Sequence, residues 1–123
     1  MGWDGYACRV QRDDYLKEDV LERLSKTDPA NEAFRNAAVS SDFPGLEEFL
    51  TDGHLACRAS ARALAGGTGE EPYNTEWWPD KVKELAAHSN WDFPAEGDEA
   101  GHRESARLFL KVCAEHNLGV RFD

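Results

Sequence analysis

Two short motifs carry the residues best suited to bind a metal ion. His54 and Cys57 stand three positions apart, and Cys113 and His116 repeat that spacing in mirrored order near the end of the chain. Residues three apart on a helix share a face, so each pair could point an imidazole and a thiol the same way. On antiparallel helices the four would supply the Cys2His2 set that zinc favours. The commoner use of free cysteine is core packing, so we expect no metal or other cofactor and keep zinc as the alternative.

Signatures of catalysis are weak in this chain. The glycine-rich segment 66–69 is not followed by Lys-Ser or Lys-Thr, and the acidic Glu70 and Glu71 after it would repel a phosphate. No G-x-S-x-G motif is present. Asp92, His88 and His102 flank one loop, which leaves open an enzyme whose site forms only in three dimensions. We expect a non-catalytic protein.

Aromatic and acidic residues coincide in two segments, 70–80 and 90–99. Tryptophan is a favoured anchor of protein interfaces, although large aromatic side chains also dominate the cores of small domains. Lys and Arg are missing from stretches 63–80 and 84–102, so negative charge is segregated along the chain. An acidic rim around indole anchors predicts a protein-binding surface. The predicted contact residues are Glu70, Glu71, Tyr73, Glu76, Trp77, Trp78, Trp91, Asp92, Phe93, Glu96, Asp98 and Glu99.

The charge balance limits the choice of partner. The chain has 24 acidic and 14 basic residues, a formal net charge of −10. Nucleic acids and membrane surfaces are themselves anionic, so we expect direct binding to neither. A basic protein surface is the complementary partner, such as a nuclease or another nucleic-acid-binding complex. By analogy of size and charge alone, we expect an inhibitor of the immunity or anti-defence type, whose carboxylates occupy the place of phosphates.

Cysteine usage and hydropathy bear on location. Three cysteines do not form a disulfide framework and are typical of a reducing compartment. The N-terminal residues have neither the basic nor the apolar region of a signal peptide. No apolar run approaches the ~20 residues of a membrane span. The sequence therefore predicts a cytoplasmic protein with no membrane contact.

Hydrophobic periodicity predicts the elements that must position these residues. Alternating residues indicate a strand at 5–10, and a second strand at 119–122 could pair with it. Apolar spacing and capping residues predict helices, one of them starting at Asp13 or Asp14 and another starting at Asp28-Pro29. The helices are predicted over residues 15–26, 29–39, 54–65, 79–89 and 98–116, with a short one beginning near residue 41. We therefore expect one domain, 1–123, of mainly α (α+β) class: a compact bundle of five to six short helices with a small β element formed by the N- and C-terminal strands.

Overall fold

The computed structural model describes residues 4–43, 45–56 and 58–123. Within these ranges the chain forms an antiparallel sheet and a layer of helices on one of its faces. The strands are β1 (Gly5–Asp13), β2 (Glu18–Arg23), β3 (Leu50–Thr51), β4 (His54–Leu55), β5 (Glu76–Trp77) and β6 (Gly119–Phe122). The helices are α1 (Ala30–Ser40), α2 (Arg58–Thr68), α3 (Pro79–His88), α4 (Asp98–Glu115) and a single 3-10 turn at Leu46–Glu48.

The predicted fold class is wrong. In place of a bundle of five to six helices with a small β element, the described residues form four α-helices and a six-stranded antiparallel sheet. The largest error is the helix expected at 15–26, where the chain instead makes a hairpin: β1 continues to Asp13, and β2 returns beside it with Leu21 opposite Val10. A second error lies at His54–Leu55, which is β4, so α2 starts at Arg58.

The two chain ends pair as the alternation at 5–10 and 119–122 predicts. β1 and β6 are antiparallel, with Ala7 opposite Val120, and β5 extends the sheet with Trp77 opposite Val120 on its other side. On its other edge, β1 pairs with both β4 and β2, and β3 pairs with the far side of β4. β1 is therefore the strand that joins the sequence-distant parts of the sheet.

The register separates the sheet into a covered and an open face. The row Ala7, Val120 and Trp77 is buried beneath the helices. The neighbouring row consists of Tyr6, Arg121 and Glu76, none of which is fully buried. Because side chains alternate between the faces of a strand, the second row stands on the open face of the sheet.

The helices share one hydrophobic core on the covered face. Phe34 of α1 and Phe109 of α4 are fully buried there, with ring centroids 5.8 Å apart. α4 packs against α1, α2 and α3, so this longest helix occupies the centre. Asp98 and Glu99 lie in its first turn, where negative charge complements the helix dipole. No helix within the described ranges combines the length and the apolar character needed to cross a membrane.

Candidate interaction surface

Adjacent tryptophans at the start of α3 face opposite environments. Trp77 lies in β5 and its ring packs edge-on against Phe122 at 4.8 Å, leaving 4% of the residue exposed. Trp78 follows in extended conformation, directly before Pro79 at the first position of α3, and is 40% exposed. The alternation of a strand places consecutive side chains on opposite faces. Trp77 therefore belongs to the core, and Trp78 presents its indole to solvent.

Segment 70–80 contains, besides Trp78, acidic residues in different environments. Glu71 and Glu76 are exposed, as is the aromatic Tyr73. Glu70 is half-buried and accepts a hydrogen bond from Lys81 Nζ at 3.0 Å, and this bond raises the pKa of Lys81. Glu76 Oε1 lies 3.8 Å from Arg121 Nε. The segment thus exposes two aromatic rings beside carboxylates, two of which already have a cationic neighbour.

Segment 90–99 uses its aromatic residues to attach a loop to α2. The ring of Trp91 lies directly over Gly67, and the ring of Phe93 lies over Gly66. The Asn90 N–H donates to the Gly67 carbonyl at 2.9 Å. Both rings are half-buried. Gly66 and Gly67 follow the predicted helix 54–65 but lie inside α2, and a side chain at Gly67 would occupy the space of the indole.

The carboxylates of this second segment remain at the surface. Those of Asp92, Glu96, Asp98 and Glu99 are all exposed. The segment also has basic neighbours, since the guanidinium of Arg103 lies 5.7 Å from the centre of the Phe93 ring. Sorted by exposure, the predicted contact residues that reach solvent most fully are Glu71, Tyr73, Glu76, Trp78, Asp92, Glu96, Asp98 and Glu99.

A cleft of about 240 Å³ lies between α2 and the start of α4. Glu99, His102 and Arg62 line it together with apolar side chains that include Phe93 and Pro94. His102 Nδ1 is hydrogen-bonded to Ser60 Oγ at 3.0 Å, and Ser60 Oγ lies 3.3 Å from Ser105 Oγ. His88, the other histidine of the enzyme hypothesis, is exposed at the end of α3.

The Ser60–His102 pair has the atoms of a nucleophile and its base, but Ser60 is fully buried. A substrate has no access to its hydroxyl in this conformation, so the hydrogen bonds join α2 to α4 instead. Sequence reasoning missed this network. Its signal was the presence of two serines, Ser60 and Ser105, at positions where the helical periodicity demands core residues.

The four residues of the zinc hypothesis lie in contrasting surroundings. His54 stacks on Tyr6 with ring centroids 4.6 Å apart, and its Nε2 lies 3.5 Å from Asp4 Oδ1. Cys113 is fully buried in α4, and burial raises the pKa of its thiol well above the usual value. His116 is exposed just after α4, and Cys57 lies outside the described residues.

Zinc ligation requires a thiolate, which the burial of Cys113 disfavours. In the part of the chain that the structure describes, no group of three or more His, Cys, Asp or Glu side chains is placed to hold a metal ion. The zinc alternative stays a prediction, and elemental analysis of the purified chain tests it.

Three comparisons addressed the relationship of this chain to known proteins. Neither the protein-family models, nor the curated proteins, nor the solved structures with which we compared the chain gave a match.

Proposed function

We propose that this chain is a non-catalytic protein-binding module, an inhibitor that covers a basic, nucleic-acid-binding surface of another protein. The observation that carries the proposal is the pair Tyr73 and Trp78, two exposed aromatic residues on either side of β5 and next to the exposed carboxylates of Glu71 and Glu76. Aromatic anchors with a charged rim are typical of protein interfaces.

Rigid attachment supports this assignment. β5 is paired with β6, and the Phe122 N–H donates to the Thr75 carbonyl at 2.9 Å, just before β5. Trp78 is restricted further because Pro79 follows it. Contact residues that are already ordered lose less conformational entropy on binding, so the same contacts give a higher affinity.

The mechanism of inhibition would be occlusion. With a net charge of −10, the chain attracts a cationic surface over a distance comparable to the Debye length. Its carboxylates then stand where the phosphates of a nucleic acid would bind, and the aromatic side chains add contacts that salt does not screen. The proposal places the chain in the cytoplasm, because its three cysteines are sparse and Cys8 and Cys113 are free thiols.

The test is inhibition and binding of a strongly basic nuclease at increasing salt. We expect the affinity to fall about tenfold or more between 50 and 200 mM salt, because screening weakens the charge attraction. Trp78→Ala should weaken binding by about tenfold, the size of a typical anchor effect. Val39→Ala is the matched control, since Val39 is an exposed apolar residue on α1. Affinity that is independent of salt, or equal for the two variants, would contradict the proposal.

A further inference from the structure

The β1–β2 hairpin extends beyond the rest of the sheet. β6 pairs with β1 only as far as Cys8, and β4 pairs with β1 only at Gly5 and Tyr6. From Arg9 to Asp13, the partner of β1 among the described strands is β2 alone. The outer half of the hairpin is therefore a two-stranded ribbon with exposed edges.

Both ends of this ribbon are fixed by hydrogen bonds. At its base, Arg9 donates from Nε and Nη2 to the two carboxylate oxygens of Asp28, each at 3.0 Å, and from Nη1 to the His116 carbonyl at 3.1 Å. At its tip, Asp13 Oδ1 accepts the N–H groups of Tyr15 at 2.9 Å and Leu16 at 3.0 Å. Isolated hairpins are marginally stable, so these contacts at base and tip hold the ribbon in one shape.

The tip exposes apolar side chains that contribute nothing to the core. Tyr15 is 93% exposed, the largest value among the exposed large hydrophobic residues that the structure describes, and Leu16 is 52% exposed. Val10 on the adjoining ribbon is also exposed. Solvation of such side chains is unfavourable, and adjacent exposed apolar residues at the end of an ordered projection are available for contact with a partner.

Carboxylates outnumber cations around these side chains. Segment 10–23 contains five acidic and three basic residues. One of the basic residues, Arg23, lies over the Tyr6 ring at 3.8 Å, on the open face of the sheet near the ribbon's base. The acidic residues are Asp13, Asp14, Glu18, Asp19 and Glu22.

We infer that the hairpin tip is a second contact site, in which Tyr15 and Leu16 enter an apolar pocket with a basic rim on the partner protein. The inference rests on the proposed function, because it assigns this arm to the same basic partner. A second copy of the chain fits poorly, since two acidic arms on molecules of net charge −10 repel each other. The exposed strand edges also permit backbone pairing with an extended segment of the partner.

The experiment is an NMR titration of the full chain with a synthetic peptide of alternating Lys and Leu, which supplies positive charge, apolar side chains and an extended backbone. A peptide of alternating Lys and Ser serves as the charge-only comparison. We expect the Lys-Leu peptide to shift the amide signals of residues 10–20. The double variant Tyr15→Ala, Leu16→Ser should bind it about tenfold more weakly. Val39→Ala, which removes an exposed apolar side chain from α1, should bind it within about twofold of the original chain.

Four other results of the titration would overturn the hairpin site. Shifts confined to residues 70–80 would overturn the hairpin site and leave the proposed function standing. Equal binding of the two peptides would also overturn the hairpin site, since apolar contacts would then play no part. Signal broadening that depends on protein concentration without peptide would assign the tip to self-association and overturn the inference. Failure of both peptides to bind at low salt would contradict the hairpin site and the proposed function together.

Discussion

The hairpin tip and segment 70–80 contain similar residues but relate to the core in different ways. In segment 70–80, Trp77 is packed against Phe122 and its neighbour Trp78 is exposed. At the hairpin tip, Tyr15 and Leu16 are both exposed, and polar bonds to the Asp13 carboxylate hold the turn. In segment 70–80, the exposed position of Trp78 therefore follows from the burial of its neighbour Trp77 in the core. At the hairpin tip, the exposed side chains have no buried neighbour within the described turn 14–17, and hydrogen bonds hold the turn.

This difference separates stability from binding. A residue such as Trp77 can contribute to binding only through the position of its neighbour, and its removal damages the fold. A residue such as Tyr15 can be removed with the fold unchanged. Substituting one exposed and one buried residue in each region therefore tests whether exposed and buried side chains contribute to stability as their positions predict.

Trp77→Ala should produce the largest effect. It removes an almost fully buried indole from the core on the covered face of the sheet, and such truncations cost about 3–5 kcal/mol of unfolding free energy. Trp78→Ala, one residue away, should cost less than about 1 kcal/mol because its side chain is already exposed. Urea unfolding followed by far-UV circular dichroism measures both. Similar losses for the two variants would contradict the opposite placement of these side chains.

Gly67→Ala and Gly66→Ala compare two glycines of one helix under two aromatic rings. Alanine gains about 1 kcal/mol over glycine in a helix interior, and this gain is common to both variants. At Gly67 the new methyl group would overlap the Trp91 ring, whereas at Gly66 it would lie 3.4 Å from Phe93 Cζ, an ordinary contact. We expect Gly67→Ala to be less stable than Gly66→Ala by about 1–3 kcal/mol.

The measurement for this pair is urea unfolding combined with acrylamide quenching of tryptophan fluorescence. Displacement of Trp91 should increase quenching in Gly67→Ala and leave it unchanged in Gly66→Ala. If the two variants have equal stability and equal quenching, the loop at 90–93 is not held by the contact between Trp91 and α2.

The same contacts show what the sequence could and could not predict. Helices α1, α3 and α4 and the pairing of the terminal strands follow from local capping and periodicity, and the structure confirms them. The spacing of Leu16, Val20, Leu21 and Leu24 fits a helical face, yet the first three lie in a hairpin and Leu24 directly follows it, because β1 supplies a partner for β2. Leu16, which would stand on the apolar face of the predicted helix 15–26, is exposed at the tip. Periodicity cannot tell which apolar residues find a partner.

The exposure of individual aromatic residues could not be predicted from the sequence. Sequence composition identified the acidic and aromatic segments, but not that Trp77 would be buried and Trp78 exposed. Helix α2 continues past residue 65, where the predicted helix ends, because the fit of Trp91 and Phe93 over two glycines outweighs their low helix propensity. The burial of Trp77 and the continuation of α2 both depend on contacts between segments that are far apart in the sequence. A local sequence pattern contains no information on such contacts.

Asp28→Asn tests the ion pair that attaches the base of the hairpin. It should lower the unfolding free energy by less than the substitution Trp77→Ala. Arg9 holds the pKa of the Asp28 carboxyl below its usual value, so the ion pair stabilises the fold above about pH 4 and the stabilisation is lost as the pH falls further. Asparagine can still accept the Ala30 N–H, which Asp28 Oδ1 accepts at 2.9 Å. We expect a loss of about 1–2 kcal/mol at pH 7 that shrinks towards zero near pH 2.

Urea unfolding at several pH values between 2 and 7 provides the check, with Asp92→Asn as the control because Asp92 is an exposed loop residue. A loss for Asp28→Asn that is the same at every pH would show that the charge of Asp28 contributes nothing to the attachment of the hairpin.

Tyr15→Ala should have the smallest effect on folding. It therefore tests directly whether the hairpin tip, unlike segment 70–80, is independent of the core. The side chain is almost wholly in water and the turn is held by backbone N–H groups, which the substitution leaves in place. The unfolding free energy should change by less than about 0.5 kcal/mol, as at other exposed positions. Leu21→Ala on the same hairpin removes a buried side chain that lies against Gly119, and should cost about 2–5 kcal/mol. If Tyr15→Ala instead approached the loss of Leu21→Ala, the tip would be part of the folded core, and the distinction between the two aromatic regions would disappear.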